Sequence, residues 1–138
     1  KAMKFAYDDI EDDDAIYELG EGWVAEETWA IALYAAVRHI DSVEEAIIAA
    51  VNHDGDSDST GAVCGNIMGA IYGYDHIAER NLFCPEGRTL ADTLEQSDLI
   101  LTVADDIALA GVISRGDVCS RVLVDKWCKR YGSEFEGE

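Results

Sequence analysis

The sequence predicts an all-α fold, a compact multi-helix bundle, and three observations carry that expectation. Apolar residues recur at helical spacing in several windows. The windows are bounded by capping and glycine signals. No alternation of strand period persists anywhere, and no internal repeat is visible.

Taken in order, a first helix is expected at Asp13 to Leu19, ending at Gly20. Trp23 to His39 follows, with Trp29, Leu33 and Val37 on one stripe and Ile31 and Ala35 beside it, a wide buried face. Ser42-Val43-Glu44-Glu45 has the form of a capping box and opens a helix to about Asn52. Asp58 or Ser59 is expected to cap the next helix, which runs to about Tyr72. Within it Gly61, Gly65 and Gly69 lie four residues apart. Glycine in a helix interior costs about 1 kcal/mol against alanine. Three on one face therefore predict close approach of another helix, or self-association of an uncovered seam. A short helix to about Asn81, a loop holding Pro85 and Gly87, and helices at Thr89 to Leu94 and Ser97 to Ile113 come next, the last two broken near Gln96. Asp117 to Tyr131 is the final helix, and residues 132–138 form an acidic, frayed tail.

At 138 residues the chain is one domain at most, and 49% hydrophobic content excludes general disorder. No apolar run is long enough to span a bilayer, so no membrane role is expected. A net charge of -19 with ten Lys and Arg argues against nucleic-acid binding by phosphate neutralisation. Cys64, Cys84, Cys119 and Cys128 show no zinc spacing. Reduced cysteines in a cytoplasmic protein are the default expectation, with a Cys119–Cys128 disulfide left open. The start, Lys1-Ala2-Met3-Lys4-Phe5, has no initiator Met and no signal-peptide core, and reads as an internal cut.

The chemistry concentrates in Asn52-His53-Asp54-Gly55-Asp56-Ser57-Asp58-Ser59-Thr60-Gly61. Carboxylates at two-residue spacing in a turning loop converge on one hard cation, and magnesium, manganese and calcium all take such oxygen ligands. The competing reading is a plain turn feeding an N-cap. A calcium loop of the EF-hand kind is rejected. Counted from Asp54, its sixth position is Ser59 where glycine is needed, and its twelfth is Gly65 where a bidentate Glu is needed.

Gly20-Glu21-Gly22-Trp23-Val24-Ala25-Glu26-Glu27, an apolar helix and then the Asp-Ser-Asp-Ser-Thr-Gly core together resemble the ADP-ribosylglycohydrolase family, over about residues 12 to 110. That family includes the dinitrogenase-reductase-activating glycohydrolases and the J1 crystallins. The resemblance implies an all-α fold with two ions, Mg2+ or Mn2+, in a cleft that binds ADP-ribose. It places Asp56, Asp58 and Ser59 among the late metal ligands, and Gly22, Trp23, Val24 and Gly55 on the substrate side. Asp54 stands where the family usually has a second glycine. No segment matches the family's early Thr/Ser-Asp-Asp motif or its early acidic residue. The run Asp8 to Asp14 reads instead as a solvated acidic linker. The chain is thus expected to be the C-terminal part of one such domain, with the catalytic residue unassigned.

The function implied is metal-dependent hydrolysis of the glycosidic bond of ADP-ribosyl groups, with this chain supplying part of a binuclear site. The missing half, or a second copy, would complete it. The alternative is a crystallin-like structural protein, or a module that binds ADP-ribose without turnover. Of the remaining candidates, His53 either contacts a ligand or satisfies a helix end. Trp23 either stacks on a sugar or packs at the start of its helix. His39 is given no role. Asp105-Asp106 reads as a solvated face or one ion pair, because adjacent helix residues face apart. Glu26 and Glu27 suit a helix N-terminus and are not assigned to catalysis.

Overall fold

A computed structural model describes residues 1–79, 93–117 and 120–132. They form eight helices, and no strand occurs among the described residues, so the chain is all-α. It divides into two units, Lys1–Leu90 and Ala91–Glu138.

The first unit contains α1 (Ala2–Tyr7), α2 (Asp12–Leu19), α3 (Ala25–Arg38), α4 (Val43–Val51), α5 (Ser57–Tyr72) and α6 (Tyr74–Glu79). Helix α3 is the hub and packs against α1, α2, α4 and α5. Its buried face is Ile31, Ala32, Tyr34, Ala35 and Ala36. Trp29, expected in the buried stripe, is 54% exposed. Alanines on the buried face let four helices approach α3 closely, and the larger ring is turned to solvent. Ile31, Tyr34, Cys64 and Met68 are fully buried. Burial of side chains such as Ile31 or Met68 contributes about 1.5–3 kcal/mol each.

The acidic run is more than a solvated linker. Ile10 packs on the core, and Asp12 opens α2. The Asp12 carboxylate accepts hydrogen bonds from the Tyr34 hydroxyl at 2.6 Å and lies 2.8 Å from His39 Nε2. Burial first, then the bond to Asp12, push the Tyr34 phenol well above its usual range.

Ser42 caps α4 as expected, its hydroxyl accepting from the Glu45 N–H at 3.2 Å. The Ser42 N–H donates instead to His39 O, and the Glu45 carboxylate faces His39 Nδ1 at 3.7 Å. Helices α4 and α5 run antiparallel, pairing Val51 with Gly61 and Ile47 with Gly65. A methyl group on Gly61 would fall 2.5 Å from Val51 Cγ1, whereas one on Gly65 would meet Ile47 Cδ1 at 3.8 Å and one on Gly69 would meet nothing within 4 Å. The glycine stripe is therefore a close crossing at Gly61 only.

The second unit contains α7 (Ser97–Ser114) and α8 (Arg121–Tyr131). The expected break falls at Gln96, which takes a left-handed φ of 55° before α7 begins. Asp106 is 8% exposed and forms the expected single ion pair, with Arg130; the Tyr131 hydroxyl donates to the same carboxylate at 2.9 Å. That bond raises the Tyr131 phenol above its ordinary value. Helix α8 begins at Arg121, later than the expected Asp117. Pro85, Gly87, Cys84, Cys119, residues 89–92 of the expected helix at Thr89 to Leu94, and the tail 133–138 lie outside the described residues. Cys64 and Cys128 are free thiols. No helix among the described residues is long and apolar enough to cross a membrane.

Candidate functional site

The acidic loop lies between α4 and α5 and is shaped by backbone bonds. The Thr60 N–H donates to Asp56 O, which makes Asp56 the N-cap of α5. The expected caps, Asp58 and Ser59, are instead inside the first turn. The Asp56 side chain makes no regular capping hydrogen bond, though the nearby Ser59 N–H favours its charge. Its neighbours in the first turn of α5 are the Asp58 carboxyl and the Ser59 hydroxyl, both of which favour its charged form. The Asp58 carboxyl foremost, then the Ser59 hydroxyl, hold the Asp56 carboxyl below its ordinary value; burial opposes them, and the Ser59 N–H and His53 add to the lowering. Two carboxyls and a hydroxyl thus stand at the start of α5. Asp54 is exposed.

His53 braces the loop from behind. Its Nδ1 accepts the Gly55 N–H at 3.1 Å, so the ring proton sits on Nε2. Nε2 lies 3.0 Å from Thr60 Oγ1 and 3.1 Å from Ala50 O. The buried Thr60 hydroxyl donates onward to Ala50 O at 2.6 Å. His53 is therefore the satisfied helix-end histidine of the two readings, tying the end of α4 to the start of α5.

The Gly20 to Val24 segment forms a wall against this loop. The Asp56 N–H donates to Glu21 O at 2.8 Å. A Cβ on Gly55 would lie 1.8 Å from that same oxygen, so the two backbones touch directly. Gly22 is buried, with a φ of +82°, and a Cβ there would meet Thr60 Cγ2 at 3.0 Å and Asp56 O at 3.4 Å. The structure therefore brings Gly22 and Gly55 to the carboxyl cluster. Trp23 and Val24 follow in the same segment, 66% and 52% exposed, so Trp23 is not a core residue. Glu27, in the first turn of α3, accepts the N–H groups of Glu21 and Gly22 on one oxygen, at 3.2 and 3.1 Å. Thr28 Oγ1 donates to Gly22 O at 2.7 Å. These two anchors were not assigned from sequence; the signal was an acid two residues into a helix that follows a Gly-x-Gly turn.

Among the described residues, no group of three or more His, Cys, Asp or Glu side chains is placed to hold a metal ion. The acidic loop brings only two carboxylates, Asp56 and Asp58, and a hydroxyl, Ser59, to the start of α5. A separate cavity of about 290 Å³ is lined by Asp12, Asp13, Ile16, His39, Glu45, Ile48, Ala49 and Asn52, and Asp56, Asp58 and Ser59 do not line it.

The helices and this loop define an all-α protein with a carboxylate pair presented at a helix start beside a glycine-rich wall. The chain belongs to the ADP-ribosylglycohydrolase family, whose model matches residues 1–116. The match begins earlier than the motifs implied and takes in α1 and the acidic run. Membership supports ADP-ribosylglycohydrolase-type hydrolysis as the general activity. Comparisons with curated proteins and with solved structures gave no significant match.

Proposed function

We propose that this chain supplies one side of a divalent-cation site in an enzyme that hydrolyses the glycosidic bond of ADP-ribosyl groups on modified proteins or small molecules. Asp56, Asp58 and Ser59 are the ligands, for Mg2+ or Mn2+, with two ions in the complete enzyme. The observation that supports this is that Asp56, Asp58 and Ser59 stand together at the start of α5, with Asp58 and Ser59 favouring the charged form of Asp56. Two neighbouring carboxylates repel unless a proton or a cation lies between them.

A bound divalent ion supplies Lewis-acid stabilisation and orients the ribose hydroxyls and water. The chain's own residues bind and shape. Gly22 and Gly55 carry no Cβ, which lets the wall and the loop meet at backbone contact. Trp23 and Val24 offer exposed apolar surface to a sugar face beside the carboxyls. The remaining ligands and the acid–base carboxylate come from chain outside these 138 residues or from a second copy.

The incomplete shell also favours a second reading, a structural, crystallin-like or ADP-ribose-binding protein without turnover. Purified chain incubated with ADP-ribosylated arginine or serine peptides and Mg2+ is expected to be nearly inactive. Asp56→Asn or Asp58→Asn in the complete enzyme is expected to abolish turnover with helix content unchanged. Unaltered turnover in both variants contradicts the catalytic reading. Turnover by the isolated chain within about tenfold of ordinary enzyme rates contradicts the division of the site.

A further inference from the structure

We infer that Glu27 is a positioning residue that sets Asp56 in the acidic loop by way of the Gly20–Gly22 turn. The inference rests on the reading of Asp56, Asp58 and Ser59 as cation ligands.

Glu27 stands at the third position of α3, where an acid ordinarily reaches back to the N–H of the capping residue. The cap here is Val24, and the Glu27 carboxylate passes it. One oxygen, Oε2, takes the N–H groups of both Glu21 and Gly22. The carboxylate fills the space under the turn so closely that a Cβ on Gly20 would lie 2.5 Å from Glu27 Cδ. Gly20 and Gly22 hold φ of +127° and +82°, which the tight turn requires.

The turn so held aims the Glu21 carbonyl outward, and that carbonyl accepts the Asp56 N–H at 2.8 Å. Asp56 is the one residue of the three whose backbone is fixed from outside its own loop and helix. Its φ and ψ of -77° and 68° are not helical, so its side-chain direction depends on that bond. Releasing the turn lets the Asp56 backbone relax and takes its carboxylate out of register with Asp58 and Ser59. Outer partners that orient metal ligands typically govern about 10–100-fold in metal affinity.

Because both bonds converge on one oxygen, an amide carbonyl can replace it. Glu27→Gln keeps the acceptor and loses the charge; Glu27→Ala loses both. Two measurements on the full chain separate the roles: amide hydrogen exchange at Asp56, and calorimetric titration with Mn2+. We expect Glu27→Ala to lose about tenfold in protection at Asp56 and about tenfold in Mn2+ affinity, with Glu27→Gln within about threefold of wild type in both. Wild-type protection at Asp56 in Glu27→Ala overturns the inference. Glu27→Gln falling as far as Glu27→Ala also overturns it, since the charge at the start of α3 would then be the cause. Wild-type chain that takes up no Mn2+ overturns the cation reading instead, while exchange at Asp56 still decides whether Glu27 holds the turn. Thr28→Val releases Gly22 O and loosens the same turn if Glu27→Ala does not fold. Unchanged protection at Asp56 in that variant overturns the inference as well.

Discussion

Gly55→Ala is the sharpest probe of how the wall and the acidic loop meet. A Cβ at this position would sit 1.8 Å from Glu21 O, 2.6 Å from Glu21 C and 2.9 Å from Glu21 Cα. All three atoms are backbone, so no rotamer change relieves the clash. The loops must separate, and the Asp56 N–H to Glu21 O bond is lost with them. Overpacking of this kind costs about 1–3 kcal/mol, and an unmade hydrogen bond at a partly buried group adds about 1 kcal/mol. A total of about 2–4 kcal/mol corresponds to a fall in melting temperature of roughly 8–32 °C for a unit of this size. Thermal unfolding followed by far-UV circular dichroism reads it directly. A Gly55→Ala chain that melts with the wild type would refute the contact between the two backbones.

Gly69→Ala should stabilise the chain by about 1 kcal/mol in urea unfolding, because the added methyl meets nothing and alanine favours the helix. Gly61→Ala, two helical turns earlier, should lose that gain against Val51; equal effects at the two sites would contradict the close crossing at Gly61. Burial pushes the Cys64 thiol up to about 11, so it stays protonated and unreactive at pH 8. Iodoacetamide labelling mapped by mass spectrometry should modify Cys128 before Cys64 in the native chain. Arg130→Met leaves the Asp106 carboxylate without its cation and should destabilise by about 1–2 kcal/mol, with Tyr131 still donating.

The sequence expresses the helices well because their periods and caps are local. It marks the acidic loop as the start of a helix because Asp and Ser favour turns and caps. It is least legible where a decision depends on a distant partner. Asp56, Asp58 and Ser59 all make good caps, and only the Thr60 N–H to Asp56 O bond selects among them. Trp29 fits the apolar stripe of α3, but the residues that the neighbouring helices cover are Ile31, Ala32, Tyr34, Ala35 and Ala36 further along it. Asp12 looks like one acid among many until Tyr34 and His39, more than twenty residues on, reach it. Glu27 resembles any acid at a helix start, and its reach past the cap depends on the positive φ of Gly20 and Gly22.

The most direct measurement is a crystal of this chain soaked in Mn2+ and recorded for anomalous scattering. An anomalous peak within roughly 2.0–2.6 Å of oxygens from Asp56, Asp58 and Ser59 is the predicted result. A peak among Asp12, His39 and Glu45 with none at the acidic loop would contradict the assignment of the metal site.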